Sequence, residues 1–469
     1  MVFHPQNLMK TAGQFVLSGE ICAIAHPCLN KDIIKEFWHN FTYQTSTLET
    51  TEKDEFIFLV GNVKPLSLND NDYTINITAD GICVHAKDEK TLLQGFMTLI
   101  DRFQAVDGDE RLIVEIDCCQ IKDKASVQNR MVHFCILPEV ELWQLQKFVR
   151  FCGALKYTHI VLEFWGMLQF DCMKELAWKH AFTKEQFRPI IREANDLGME
   201  VIPMFNHWGH ASAGREMHGK HVVLDQNPAL QTYFSEDGWC WDIRKNKVRK
   251  LLRQIREELI ELCGKGDYFH IGCDEAYNFE YTDENMDMVC DYFNEIAEDM
   301  HLQNRKVIVW GDMFLYRQAH YNPNNHYSCN APSYETAQYM LKRLSKKVII
   351  ADWQYDAREY PIETASSFTQ AGFECLLCPW DRGFAQTRAS LETVKNQALM
   401  GFMHTTWHTL TSGMPYVMFA AVGAHENVDG AALTQFRMQS AALLRKVMPI
   451  NGDYEKAGWS KNQISIVWL

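Results

Sequence analysis

The segment YFHIGCDEAY, residues 268–277, begins with apolar residues that predict a short buried strand and ends in two adjacent acids, Asp274 and Glu275. Side chains alternate sides along a strand, so two acids that serve one pocket fit best where the strand gives way to its loop. Acids at the carboxyl ends of strands are typical of barrel active sites. An arbitrary Asp-Glu pair usually belongs to a solvated loop, but this pair follows a buried strand that lies among others of its kind. We therefore predict that the pair is catalytic.

The segment is one of eight similar apolar runs, which alternate with amphipathic, charged segments such as residues 247–263 and 286–301. The eight runs are residues 131–137, 159–164, 199–205, 268–272, 307–310, 348–351, 374–378 and 401–406. Eight parallel strands alternating with helices predict an α/β fold of the (β/α)8, or TIM, barrel type. The alternative is a doubly wound open sheet, which would carry a glycine-rich phosphate turn after its first strand. The sequence has no such turn there.

The first 125 residues have a different pattern and predict a small α/β sandwich domain. Residues 56–60 form a predicted strand, residues 73–86 a hairpin, and residues 91–103 a helix with apolar residues at helical spacing. We expect no chemistry from this domain. Residues 126–469 would then form the catalytic barrel with a helical C-terminal tail.

Composition excludes several classes of protein. A chain of 469 residues fits two domains, and a hydrophobic content of 47% is too high for a largely disordered chain. The net charge of −14 argues against nucleic acid or an anionic membrane as a partner, because either needs a basic surface. The chain has no apolar run of 18 residues and no basic leader with an apolar run at its start.

The fifteen cysteines are odd in number and scattered, often within apolar, strand-like runs. This pattern favours reduced core thiols over a disulfide framework, so we expect a cytoplasmic protein. The close pairs are Cys118-Cys119 and Cys375-x-x-Cys378. A zinc ribbon needs two paired knuckles at suitable spacing, so we expect no metal at these cysteines.

His270-Ile-Gly-Cys-Asp274-Glu275 resembles the signature of the β-N-acetylhexosaminidases of glycoside hydrolase family 20. The surrounding residues are similar to the hexosaminidase D branch in particular, and the resemblance spans roughly residues 55–410. It implies an exo-acting enzyme that removes terminal β-linked GlcNAc or GalNAc from glycans with retention of configuration and without a cofactor. Glu275 would be the general acid. The substrate's own 2-acetamido oxygen would attack, with Asp274 orienting the amide N–H.

Aromatic residues lie at or just past several predicted strand ends: Trp165, Trp310, Trp353, Tyr355, Trp380 and Trp407. A single tryptophan in an apolar run usually packs in the core, but several at successive strand ends indicate a surface for sugar rings. The resemblance implies that Trp310, Trp353 and Trp407 box the acetamide and that Tyr355 bonds its oxygen. Trp380 and Asp381 lie where the family commonly has a Tyr-x-Asp pattern.

Several positions depart from the family. Arg130 resembles its arginine at the start of the first barrel strand, but Pro138 stands where a second, hydroxyl-binding arginine is expected. Glu163 and Asp381 are candidate replacements for the missing hydroxyl contacts. Asp312 is a further candidate for a sugar hydroxyl. The structural alternative for these acids is a salt bridge inside the barrel or at its rim, and the choice between GlcNAc and GalNAc stays open.

The loop Asn206-His207-Trp208-Gly209-His210 invites a metal interpretation, with His218 and His221 nearby. The His207-x-x-His210 spacing on a loop is not a helical i, i+4 pair, and no carboxylate completes a triad, so we expect no metal. The resemblance implies instead that His210 supports the general acid. Two other functions are a non-catalytic glycan-binding barrel and a disaccharide-releasing glycosidase. The sequence leaves the oligomeric state open, and a homodimer is one option.

Overall fold

The computed structural model of the chain describes residues 2, 5, 7–18, 20–51, 54–107, 112–212, 223–381, 383–397, 399–407, 410–426, 428, 430 and 432–448. The remaining residues include the predicted tail beyond residue 448, and also His218 and His221. In the described part, no helix has both the length and the apolar character that a membrane crossing requires.

The N-terminal part is a mixed sheet with two helices. Its strands are β1 Asn7–Leu17, β2 Ile21–Ala25, β3 Ser46–Thr50, β4 Phe56–Gly61, β5 Tyr73–Thr78, β6 Gly81–Ala86, β7 Gln104–Asp107 and β8 Leu112–Asp123, and its helices are α1 Lys31–Thr42 and α2 Glu89–Ile100. The strand order is β1-β8-β5-β6-β4-β2-β3, and β7 also pairs with β8. The pairs are antiparallel except for β2 and β3. The predicted hairpin is β5–β6, and α2 packs on this sheet through a buried apolar face.

The predicted helix over residues 91–103 begins two residues earlier and ends three residues earlier than expected. Asp88 caps its start, because the Asp88 side chain accepts a hydrogen bond from the backbone N–H of Thr91 at 2.8 Å. The Thr91 side chain bonds back to the backbone N–H of Asp88 and completes a capping box.

The second part is a closed barrel of eight parallel strands, which confirms the predicted TIM barrel. The strands are β9 Asn129–Cys135, β10 His159–Glu163, β11 Glu200–Met204, β12 Tyr268–His270, β13 Lys306–Trp310, β15 Val348–Asp352, β17 Glu374–Leu377 and β18 Gly401–Thr405. Two short strands, β14 Asn325–His326 and β16 Asp356–Ala357, pair with each other outside the barrel. Each barrel strand matches a predicted run to within two residues.

Helices and short 3₁₀ turns connect the strands. The helices are α3 Leu142–Ala154, α4 Lys184–Asp196, α5 Val223–Gln226, α6 Asn246–Cys263, α7 Asp283–Leu302, α8 Tyr334–Arg343, α9 Glu363–Gln370, α10 Phe384–Asn396, α11 Met414–Gly423 and α12 Leu433–Val447. The 3₁₀ turns are Lys174–Leu176, Pro228–Tyr233, Asp312–Phe314 and Arg317–His320. Helix α12 lies in the predicted helical tail.

Apolar side chains from successive strands fill the middle of the barrel, among them Met131, Val161, Ile202, Ile308 and Met403, all fully buried. Such a packed layer makes the barrel a solid core rather than a pore. Toward the carboxyl ends of the strands the inward residues become polar, as with Glu163 at the end of β10 and His270 at the end of β12. A binding pocket can therefore form only above this layer.

Candidate active site

The loop after β12 brings two consecutive acids to one pocket by leaving the extended conformation. Gly272 has φ +65°, and a Cβ there would lie 1.8 Å from Oδ1 of Asn206, so only glycine fits. Cys273 and Glu275 also have positive φ, +78° and +44°. Non-glycine residues rarely adopt this region, and they do so mainly where the surrounding structure holds them. This backbone ends β12 at His270, two residues earlier than predicted.

His210 contacts both acids. Its Nε2 lies 2.8 Å from Oε2 of Glu275 and 3.5 Å from Oδ2 of Asp274. The indole N–H of Trp239 donates to the main-chain oxygen of Glu275 at 2.6 Å. The Glu275 side chain is 26% exposed and that of Asp274 only 7%. Glu275 can therefore reach a bound molecule from the rim, whereas Asp274 lies deeper.

Burial raises the pKa of Asp274 to about 7. The charge of His210 opposes this shift, and the nearby carboxylates of Asp312, Glu275 and Glu163 add to it. A carboxyl group with a pKa near neutrality in a pocket is a candidate for a functional role, because purely structural carboxylates are more often ionised and paired.

Asp312 does not face the pocket with a carboxylate free to bind a sugar hydroxyl, which corrects the expectation that it is a hydroxyl ligand. It is 1% exposed. Its Oδ2 accepts the backbone N–H of Glu275 at 2.9 Å and the side-chain amide of Asn330 at 2.7 Å, and its Oδ1 accepts the indole N–H of Trp353 at 3.0 Å. Both oxygens are thus used within the protein. Burial raises the pKa of Asp312 to about 6.

The structure brings Trp353, Tyr355, Trp380 and Trp407 together as one wall. Trp310 is 0% exposed and lies in the barrel core, so its ring backs Trp407 rather than facing the pocket. Trp165 lies apart from the wall, with its ring 6.1 Å from that of His210. Trp310 and Trp407 have ring centroids 5.6 Å apart, Trp353 and Tyr355 5.1 Å, and Tyr355 and Trp380 5.2 Å. The indole N–H of Trp407 donates to the Tyr355 hydroxyl at 2.7 Å. Burial raises the pKa of Tyr355, and the charge of Asp274 adds to this shift. Indole faces of this kind suit the apolar faces of sugars.

Glu163 ends β10 beside this wall, and it is part of a buried network that sequence reasoning missed. Its Oε2 lies 2.8 Å from Nε2 of His133, and its Oε1 accepts the side-chain amide of Asn206 at 2.8 Å. The His133 ring lies 4.7 Å from the Trp407 ring, centroid to centroid. His133 lies within a predicted apolar strand. A polar residue at an inward position near the carboxyl end of β9 was the signal that could have identified it as a site residue.

Comparison with known proteins places the chain in a family. Residues 162–412 match the sequence profile described as "Glycosyl hydrolase family 20, catalytic domain". The chain belongs to glycosyl hydrolase family 20. The matched residues include all the predicted site residues except Arg130.

A curated relative, "Probable beta-hexosaminidase fdl" of Drosophila melanogaster, is 26% identical over 122 residues. The match covers 24% of this chain and spans only 17% of the length of that relative. The similarity to the hexosaminidase D branch stays a prediction.

Solved family 20 structures share the fold over almost the whole chain. The β-N-acetylhexosaminidase of Streptomyces coelicolor A3(2) superposes with a TM-score of 0.67 at 14% identity and covers 95% of this chain and 96% of its own. An exo β-N-acetylglucosaminidase of Vibrio harveyi gives 0.69 at 13% identity, over 96% and 78% of the two chains. The chitobiase of Flavobacterium johnsoniae gives 0.67 at 15%, over 98% and 74%. At these identities the similarity establishes the fold alone.

Arg130 does not lie in the family 20 pocket, which corrects a second expectation. It is the second residue of β9 and lies at the amino end of the barrel, opposite the acids. Its guanidinium donates to the main-chain carbonyls of Val127 at 2.7 Å, Gln128 at 3.2 Å and Lys156 at 2.9 Å. Parallel strands all start at one end, so a residue at a strand start is remote from the loops that follow the strands.

The charge of Asp381, next to Trp380, helps to raise the pKa of Tyr416 on α11. A role for Asp381 in binding a sugar hydroxyl stays a prediction.

Among the described residues, the one group of three side chains with metal-ligand geometry is His210, Asp274 and Glu275, whose ligand atoms lie within 4.8 Å of one another. The fold thus supplies two carboxylates beside His210, which corrects the expectation that no carboxylate completes a triad there. A cation at this place would compete with the hydrogen bond between His210 and Glu275. His207 is not part of this group. Its ring is fully buried, and its Nδ1 lies 2.6 Å from the main-chain oxygen of Phe205. His218 and His221 lie outside the described residues, so the structure does not test them.

Tyr277 is a second residue that sequence reasoning missed. Burial raises the pKa of Tyr277, and the nearby Glu275 carboxylate adds to this shift. The Tyr277 ring stacks on that of Trp239, with the centroids 5.5 Å apart. Tyr277 also lines a cleft of about 550 Å³ beside the loop of the two acids. Its place two residues after Glu275 was a usable signal.

Proposed function

We propose that this family 20 protein is an exo-acting β-N-acetylhexosaminidase that hydrolyses terminal β-linked GlcNAc or GalNAc from glycans. The observation that carries the proposal is the geometry around His210, which holds Glu275 at 2.8 Å while Asp274 lies deeper in the same pocket. One acid is exposed enough to reach a leaving group, and the other is placed to act on a deeper part of the sugar.

Glu275 serves as the general acid. It protonates the oxygen that leaves as the bond between C1 and the leaving oxygen breaks. The oxygen of the substrate's 2-acetamido group attacks C1 from the opposite face and forms a bicyclic oxazolinium ion. Water then attacks C1, the bond to the acetamide oxygen breaks, and the Glu275 carboxylate takes the proton of that water. Two inversions at C1 give net retention, the substrate-assisted exception to the two-carboxylate rule.

Asp274 accepts a hydrogen bond from the acetamide N–H. This N–H becomes more acidic as the oxazolinium forms, so the bond strengthens in the transition state and raises kcat rather than only lowering KM. The deep position of Asp274 suits this role, because an acceptor of low exposure is shielded from water.

The aromatic wall covers the acetamide. Trp353 and Trp407 supply apolar faces for its methyl group, and Trp310 supports Trp407 from the barrel core. The Tyr355 hydroxyl accepts from Trp407 and donates to the acetamide oxygen. Glu163, with its partner His133, is the candidate for a sugar hydroxyl in place of the missing arginine. This arrangement requires no cofactor.

We also propose a cytoplasmic location. All fifteen cysteines are free thiols, and most of them are buried. Such a population of reduced thiols is typical of a reducing compartment.

The proposal is tested with aryl β-glycosides of GlcNAc, GalNAc and glucose. We expect turnover of the N-acetyl substrates and very poor turnover of the glucoside, which has a similar shape but lacks the acetamide nucleophile. The first product observed by NMR should keep the β configuration. Inverted product, or equal turnover of the glucoside, would overturn the substrate-assisted mechanism.

Asp274→Asn sharpens the test. This variant keeps the size of the side chain and loses its charge, so we expect kcat to fall about 10²–10³-fold, comparable to the loss of an oxyanion-hole donor, with KM changed little. A loss confined to KM would mean that Asp274 contributes only to ground-state binding.

A further inference from the structure

Asp312 lies at the start of the turn after β13 and bonds to two parts of the site that come from different loops. One is the backbone of Glu275, after β12, and the other is the side chain of Trp353, after β15. We propose that Asp312 is a positioning residue that holds the general acid and the aromatic wall in one fixed arrangement. The inference rests on the proposed function.

The first part of the argument is the backbone of the general acid. Glu275 has φ +44°, a conformation that a side chain with a Cβ adopts rarely. Such a conformation persists only where the surroundings hold it. The Asp312 carboxylate accepts the N–H of this residue at 2.9 Å, and Trp239 donates to its main-chain oxygen at 2.6 Å. Asp312 is therefore one of the groups that fix the direction in which the Glu275 side chain points.

The second part is the aromatic wall. The indole N–H of Trp353 donates to the other oxygen of Asp312 at 3.0 Å. An indole that is held at its nitrogen cannot rotate freely, so this bond sets the plane that Trp353 presents to the pocket. The ring centroid of Tyr355 lies 5.1 Å from that of Trp353, so the position of the Tyr355 ring depends on the plane of the indole.

The third part is that Asp312 itself is held in place. Asn330 donates to Asp312 twice, from its side-chain amide to Oδ2 at 2.7 Å and from its backbone N–H to the main-chain oxygen at 2.8 Å. The Tyr281 hydroxyl donates to the main-chain oxygen of Asn330 at 3.1 Å. Because the carboxylate is 1% exposed, water does not compete for these bonds.

The charge of Asp312 gives the proposal a second consequence. That charge helps to raise the pKa of Asp274. Removing it should lower the pKa of Asp274 and extend the ionised form of Asp274 to lower pH. A carboxylate with a purely structural role would not move the pH profile of the reaction.

The matched control is Asp352, at the end of β15. It is 0% exposed, and its oxygens accept from Gln354 at 2.7 Å and Thr364 at 2.6 Å. Burial raises its pKa to about 6, as for Asp312. Asp312 and Asp352 thus share burial, charge and use of both oxygens. They differ in that Asp312 bonds to the backbone of Glu275 and the indole of Trp353, whereas the carboxylate of Asp352 bonds to the side chains of Gln354 and Thr364.

The experiment compares Asp312→Asn with Asp352→Asn, using the aryl β-GlcNAc glycoside over a range of pH. An asparagine has one acceptor oxygen, so its NH₂ must face an N–H of Glu275, Asn330 or Trp353. We expect Asp312→Asn to lower kcat about 10–100-fold, the scale of a small misplacement of catalytic groups, with a smaller change in KM. The acidic limb of its pH profile should move to lower pH. Asp352→Asn should reduce thermal stability and leave both kcat and the acidic limb unchanged.

A double-variant cycle separates the bond to Trp353 from the bond to Glu275. Trp353→Phe keeps an aromatic ring and removes the indole N–H. If Asp312 and Trp353 act through their hydrogen bond, Asp312→Asn combined with Trp353→Phe should lose less kcat than the product of the two single losses. Strictly multiplicative losses would contradict the link to the wall.

Two outcomes keep this inference apart from the proposed function. A wild-type protein that hydrolyses no N-acetyl glycoside would defeat the proposed function. A wild-type protein that is active, with Asp312→Asn matching Asp352→Asn in kcat and pH profile, would overturn the positioning role alone. If Asp312→Asn does not fold, Asn330→Ala replaces it, and a kcat equal to that of Asp352→Asn would then overturn the inference.

Discussion

The two ends of the barrel differ in how their buried charges are arranged: opposite charges are paired at the amino end, and like charges lie together at the carboxyl end. At the amino end, Arg130 donates to three main-chain carbonyls, and the Lys156 ammonium lies 3.5 Å from Asp123 and 2.9 Å from the Tyr73 hydroxyl. Tyr73 also donates to Asp123. Cations and an anion are interleaved here, at the contact between the N-terminal sheet and the barrel.

At the carboxyl end, acids gather instead. Asp274, Asp312 and Glu163 are all buried, and the charges of the other two help to raise the pKa of Asp274. Among these groups, His210 provides the opposing charge on Asp274. Burial of like charges costs stability, whereas burial of paired charges costs less. The paired charges at the amino end thus stabilise the contact between the N-terminal sheet and the barrel. The carboxyl end keeps a cluster of like charges that costs stability but can serve in catalysis.

The largest expected effect is at the carboxyl end. Glu275→Gln should lower kcat on a natural disaccharide by about 10²–10⁴-fold, the usual contribution of a general acid, while the protein stays folded. The loss should be smaller on an aryl glycoside with a good leaving group, because that group needs less protonation. Equal losses on both substrates would assign Glu275 a structural role.

The matching change at the amino end should act on stability. Arg130→Met keeps much of the apolar stem and removes the guanidinium, so three buried carbonyls lose a partner. We expect the free energy of unfolding to fall by about 3–5 kcal/mol in urea titrations. The folded fraction should keep its kcat, because Arg130 lies at the far end of the barrel. A lower kcat with normal stability would contradict this assignment and indicate that Arg130 acts in the pocket.

His210→Ala should have an intermediate effect, with kcat lowered on the order of 10-fold and the alkaline limb of the pH profile displaced. With Nε2 as the donor, the hydrogen bond at 2.8 Å stabilises the ionised form of Glu275. Its loss should move the limb to higher pH. Wild-type activity that disappears with EDTA and returns with zinc would show instead that His210, Asp274 and Glu275 hold a metal.

The smallest expected effect is the pH dependence of stability that Asp274 causes at the carboxyl end. The pKa of Asp274 is raised to about 7 from an ordinary 3.8, so the folded protein binds this proton more tightly than the unfolded chain. Stability should therefore fall as pH rises from about 4 through 7. Asp274→Asn removes this cost and should be more stable than wild type near pH 8, with the difference vanishing near pH 4. An equal difference at both pH values would exclude titration of Asp274 as the cause.

The sequence predicted the barrel well because its strands are buried on both faces and therefore appear as continuous apolar runs. It predicted part of the N-terminal sheet. Strand β1 was missed because most of its residues are exposed: it is the edge strand of the sheet and, among the described strands, pairs with β8 alone. A largely exposed strand carries no apolar run to detect.

Prediction of the site was uneven for a similar reason. Asp274 and Glu275 could be found because they follow directly after a buried strand. Arg130 was misplaced, although its position at the start of a strand already indicated the amino end. Tyr277 was overlooked although its place two residues after Glu275 was a usable signal, because the sequence around a single loop tyrosine does not show which way its ring points.

The sequence by itself determined which residues form the barrel and where two acids end a strand, because both depend on local pattern. Tertiary structure decided what each charge does. The partners of the site come from distant positions: His210 is 65 residues from Glu275, and Asp312 is 37 residues from Glu275 and 41 from Trp353. A carboxylate in a given sequence context can bind a sugar, pair with a cation or accept hydrogen bonds from backbone N–H groups. The neighbouring residues in sequence do not distinguish these three roles. Only the closed barrel, which brings eight loops to one end, selects among these roles.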